Sequence, residues 1–183
     1  ANINSNKKKI IDLDAEVIAY MENNSSLEEK ISEHIKEQEN VTGAGNKLVK
    51  LNNLRGKLSQ KVSTITKEHK FFTENTECPT CGQTIEEEFR LNRISDAQNT
   101  AKELKDGYEE LEKTIKFEQE RERQFNSLSK EITKLNNGIS QNNTRISGCQ
   151  RQIRDLESEV QRITEQVANR NTEHEKLAEF KVI

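Results

Sequence analysis

Two cysteines stand three positions apart in Cys78-Pro79-Thr80-Cys81-Gly82, and the proline between them is the only one in the chain. A Cys-x-x-Cys turn presents two thiolates to one side of a single ion, and zinc favours four such ligands in a tetrahedron. Pro79 restrains the backbone between the sulfurs, and Gly82 permits a positive φ just after the second. The pair therefore reads as half of a structural metal site. The competing chemistry is a redox dithiol. That reading wants the first cysteine at a helix N-terminus in a βαβ setting, and no strand pattern is visible here.

The other half of the site is missing from the chain, which has no second Cys-x-x-Cys. His69 belongs to the face of the first arm that packs on the second, and Cys149, the third cysteine, should lie well over half an arm's length away. Cys149 reads as a small packing residue. Two turns meeting head to head would supply Cys78 and Cys81 twice, closing a four-thiolate site around one zinc shared by two chains. From Phe71 to Glu88 there are five acidic residues and no basic one. Bare turns should repel each other, so the metal is expected to be the glue, and the junction should be weak unless salt screens it.

The elements that must position this turn follow from composition. Hydrophobic residues make up 31% of the chain, charged residues 33% and aromatics 4%, too little for a compact core yet too regularly spaced for disorder. An all-α, long coiled coil needs only two apolar residues in seven. The net charge is -3 with the signs interleaved, and Lys7-Lys8-Lys9 reads as a solvated helix turn, so no basic face for nucleic acid stands out. There is no apolar run of bilayer length and no signal peptide pattern. An odd cysteine count in a helical chain fits a reducing, cytoplasmic location. The start without methionine and the stop in mid-pattern at Phe180-Lys181-Val182-Ile183 suggest a piece of a longer protein.

In the first arm Leu51, Leu58, Ile65 and Phe72 recur every seven residues, with Leu48, Arg55, Val62 and His69 between them. In the second, steps of four and three run from Leu128 to Leu177 through Asn142, Cys149, Arg170 and His174, and 12 of the 15 positions are apolar. His69, His174 and the nearby His34 read as packing residues, while Asn142 and Arg55 could set register. Thr84-Ile85-Glu86-Glu87 has the form of a capping box, so the second helix should start at Thr84 and the first should end near Thr73 to Asn75. The short connection between them predicts an antiparallel intramolecular coiled-coil hairpin. Its parts are an ascending helix 1–75, a turn 76–83 and a descending helix 84–183, with residue i facing residue 160 minus i. An arm of this length spans about 110 Å.

Breaks are expected near 41–48, at Val41-Thr42-Gly43-Ala44-Gly45, and at the matching 116–128, where the second arm loses phase. Asn23-Asn24-Ser25-Ser26 should lie opposite Lys134 to Asn137, and residues 160–183 should lack a partner. Gly43-Ala44-Gly45-Asn46-Lys47 superficially suggests a phosphate loop, but it lacks a glycine before the lysine, a Ser/Thr after it and a preceding strand.

The stretch Cys78-Pro79-Thr80-Cys81-Gly82-Gln83-Thr84-Ile85, joining two long helical arms, resembles the zinc hook of the SMC-like DNA-repair ATPases. Members of that family partner a nuclease in complexes that process double-strand breaks. The match is specific at the turn and generic along the arms, whose asparagine-rich style is that of small phage proteins, implying a host cytoplasm. The resemblance implies that Cys78 and Cys81 are zinc ligands shared with a second chain, with Pro79, Gly82 and Thr84 shaping the turn. ATP, magnesium, the nuclease and DNA would bind head regions of the parent that this segment lacks. It should therefore neither hydrolyse ATP nor cut DNA, and no membrane is implied. Its role would be mechanical, tethering through the hook. A structural coiled-coil scaffold whose tip binds another protein, and a redox hairpin joined by disulfide, are the alternatives.

Overall fold

A computed structural model describes residues 3–180. Residues 1, 2 and 181–183, which the expected arms include, lie outside the described residues. The chain is all-α, with helices α1 (Ile3–Val41), α2 (Ala44–Glu74) and α3 (Glu87–Phe180). Among the described residues there is no strand, only an isolated antiparallel bridge between Glu77 and Thr84. No helix among them is long and apolar enough to cross a membrane.

Contacts divide the chain into two compact units, the first formed by two segments distant in sequence and the second by one continuous stretch. The first comprises the described parts of Ala1–Glu37 and Leu128–Ile183. In it Asn6 donates to Glu159 at 3.2 Å, Cys149 approaches Glu16 at 3.8 Å, and Arg145 donates to the Tyr20 hydroxyl at 3.2 Å. A Cβ on Gly138 would meet Leu27 at 3.4 Å. Each of these pairs places residue i opposite 165 minus i, five positions from the expected register. The offset belongs to this unit: in the connection itself Glu77 faces Thr84 and Cys78 faces Gln83, so the chain reverses at Thr80–Cys81, as expected.

That shift decides which polar residues meet. Asn23 and Asn24 face Asn142 and Asn143, not Lys134 to Asn137. Asn142 Nδ2 donates to Asn23 Oδ1 at 2.7 Å and to Asn24 Oδ1 at 2.9 Å, while Asn24 Nδ2 donates to Asn143 Oδ1 at 2.9 Å. Two of these three bonds are exposed and the third is part-buried, so the network adds only a small preference for this register.

The second unit is Gln38–Ser127. Its two sides are tied by Arg55 with Glu112 at 3.4 Å, Glu68 with Arg93 at 3.0 Å, and His69 Nε2 with Gln98 at 3.4 Å. The chain leaves the helix at Thr42 and Gly43, where Gly43 takes φ 80. The opposing side differs from expectation: α3 runs through 116–128 without interruption. Its hydrophobic phase falters there because Glu118, only 4% exposed, occupies a packing position, and a polar seam residue disturbs the pattern without breaking the helix.

Burial is thin, since two packed segments cover only one stripe of each helix. Among the described residues the buried apolar side chains are Ala44, Ala97, Leu111, Ile115, Cys149 and Ile153. From Thr164 to Leu177 every residue is exposed, including Val167, Leu177 and His174. His174, expected to be a packing residue, is thus exposed. His34 is the opposite case: its Nδ1 is buried without a hydrogen-bond partner, 3.7 Å from the Glu37 carboxylate.

Candidate metal centre

The connection between α2 and α3 is a small backbone-bonded loop. Cys78 N–H donates to the Gln83 carbonyl at 2.8 Å, Gly82 N–H to the Cys78 carbonyl at 2.8 Å, and Ile85 N–H to the Thr76 carbonyl at 2.9 Å. Together with the Glu77–Thr84 bridge, these bonds close a miniature antiparallel turn around the two cysteines. Gly82 stands at φ 70, a conformation that costs a side chain but not glycine.

Thr84 has a different role from the one expected of it. It lies in the bridge opposite Glu77 and does not cap a helix, which begins only at Glu87. The bridge uses the extended backbone that a helix start at Thr84 would have consumed. The first turn of α3 still carries Glu87 and Glu88, which suit its positive end, and Arg90 N–H closes on the Glu86 carbonyl at 2.9 Å.

The helix ends below the turn are capped by side chains. Asn75 uses both its backbone N–H (3.1 Å) and its Nδ2 (2.8 Å) on the Phe71 carbonyl. Arg90 reaches back from α3 to the Phe72 carbonyl at 3.1 Å. The last carbonyls of a helix otherwise lack partners, so these contacts fix where α2 stops. Phe71, Phe72 and Phe89 pack edge to face at centroid separations of 5.1 and 5.9 Å, and the Arg93 guanidinium lies 5.8 Å from the Phe89 ring centre. These residues form a firm base for the loop.

Cys78 is partly exposed and Cys81 exposed, while Cys149 is buried. The backbone N–H of Cys81, and next that of Thr80, donate toward the Cys78 sulfur and hold its pKa below the ordinary thiol value. Donors aimed at a sulfur favour the thiolate, the form that binds metal. The donor set therefore suits a thiophilic ion such as zinc. Gln83 Oε1 lies 3.7 Å from Cys81 Sγ, a neighbour that no sequence pattern singles out. Among the described residues no group of three or more His, Cys, Asp and Glu side chains is arranged to hold a metal.

Burial first, and then the charge of Glu16, push the Cys149 thiol upward. With metal removed, iodoacetamide near neutral pH should label Cys78 at least about tenfold faster than Cys149, because only the thiolate attacks. Peptide mass mapping over time would read this, and equal rates would contradict the placement.

Searches against family models, curated proteins and solved structures give no match to this chain.

Proposed function

We propose that this segment is a zinc-dependent tether: an antiparallel coiled-coil hairpin whose Cys78–Cys81 turn joins a second copy by sharing one zinc ion. The supporting observation is the pair of accessible thiols in a backbone-bonded turn, with N–H groups directed at the Cys78 sulfur and no further ligand from the same chain among the described residues. Two thiolates leave a tetrahedral zinc half satisfied, and a two-fold axis supplies the rest with identical chemistry. The opposed contacts within each unit support the hairpin, and the steps of three and four support the coiled coil.

In this reading the segment belongs to an SMC-like ATPase subunit of a nuclease complex acting on DNA breaks. It holds two complexes, or two arms of one, together and has no catalytic residue of its own. Zinc enters through Cys78 and Cys81. ATP, magnesium, nuclease and DNA belong to the parent's other regions, and the complex works in the cytoplasm.

Sedimentation tests the tether. With zinc, dimers joined at the turn should form, more completely at high salt because the acidic residues around each turn repel. A chelator should return the chain to monomer. Dimers that persist in chelator but dissolve in reductant would instead mark a disulfide.

A further inference from the structure

We propose that Thr42–Gly43 is a latched joint, a stretch that opens locally and whose closed state is held by Glu118 and Arg121 of α3. The end of α1 leaves carbonyls without helical partners. Arg121 Nη2 donates to two carbonyls there, those of Asn40 at 3.1 Å and Thr42 at 3.4 Å. The Nη1 of the same guanidinium donates to both oxygens of Glu118, at 2.7 and 3.1 Å.

Glu118 also works toward the other side of the interruption. Its carboxylate, 5% exposed, accepts from Lys47 Nζ at 3.3 Å, and Lys47 lies in the first turn of α2, with its N–H on the Gly43 carbonyl at 3.2 Å. One buried carboxylate thus ties α3 to the end of α1 through Arg121 and to the start of α2 through Lys47. The approach is close: a Cβ on Gly45 would stand 3.1 Å from the Glu122 carboxylate oxygens, and Ala44 is fully buried.

The helix is interrupted at Thr42 and Gly43, and this charged cluster, beside the packing of Ala44 and Gly45 on α3, holds the joint closed. Charge-assisted bonds in a buried setting are strong while complete and costly when half removed. Because α3 is unbroken past the joint, opening would free the end of α1 from the start of α2 and leave the opposing helix whole. The proposal does not depend on whether the turn binds metal.

Hydrogen exchange of the full chain, read by mass spectrometry, tests this. Arg121→Lys keeps the charge but loses the fork that reaches two carbonyls and a carboxylate at once. It should speed exchange of amides 38–47 by about tenfold while amides 55–70 keep their wild-type rates. Glu118→Gln, which preserves shape, should give the same local pattern. Unchanged rates at 38–47 would overturn the proposal, as would an equal acceleration across residues 38–127, since that marks general loss of stability and not a joint.

Discussion

Replacing both Cys78 and Cys81 by serine should abolish zinc uptake and leave the chain monomeric at concentrations where the wild type dimerises. In the proposed site each chain supplies two of four ligands, so the double substitution removes all four. A structural zinc site of this type contributes roughly 10 kcal/mol or more of binding free energy at neutral pH, nearly all of it through the thiolates. The single variant Cys78→Ser removes two of the four by symmetry and should weaken zinc by more than the about 100-fold that changes behind the ligands produce. The helices should survive both changes. The loop is closed by main-chain bonds from Cys78, Gly82 and Ile85 and not by the sulfurs, so circular dichroism should match the wild type. Metal analysis with mass measurement on the same samples checks this: one zinc per two chains before substitution, none after. A serine variant that still dimerises would transfer the role to a scaffold reading, in which the turn binds by shape alone.

The second large effect concerns the core. Ile115→Ala should lower stability by about 2–5 kcal/mol, since the side chain is 1% exposed and its loss leaves a cavity. Ile11→Ala, at a position 67% exposed, should change stability by less than about 0.5 kcal/mol. Urea unfolding followed by circular dichroism separates them. Equal midpoints for the two variants would mean that the seam does not run through Ile115. The contrast is informative because the sequence offers two isoleucines of similar appearance and only packing distinguishes them.

Ile115 also marks how far the sequence alone could lead. In the second arm the steps of three and four were plain from Leu128 onward and indistinct before it. The seam continues upstream through Leu111, Ile115 and Glu118, and a buried glutamate does not register as a packing residue in a hydrophobic pattern. Glu118 is tolerated there because Arg121 and Lys47 neutralise it, and Lys47 comes from a helix about 70 residues away. The expected break near 116–128 arose from this substitution of charge for hydrophobicity. The expected interruption near 41–48 rested on a slip of the apolar spacing across Val41-Thr42-Gly43-Ala44-Gly45, and the chain leaves the helix there, at Thr42 and Gly43.

Register shows the same division. The arms and the reversal at Thr80–Cys81 could be recognised from spacing, but the pairing in the first unit, where Asn6 meets Glu159 and Tyr20 meets Arg145, could not. Thr84 illustrates the difficulty: its local sequence is that of a helix cap, yet the Glu77–Thr84 bridge and the Cys78–Gln83 bond hold it in an extended turn. Arg90 and Arg121 were equally invisible, because each caps a helix end on the opposing side of its unit.

By itself the sequence determined that this protein is helical, that its chain reverses near its only proline, and that two thiols stand together there. Those properties are local: they follow from propensity, period and the spacing of a few residues. Only the tertiary structure decided which residues face one another, which glutamate is buried, and that the Cys78 sulfur sits among backbone donors. Those properties depend on contacts between segments distant in the chain, or on the detailed path of a loop, and a residue's type does not encode its neighbour across the fold.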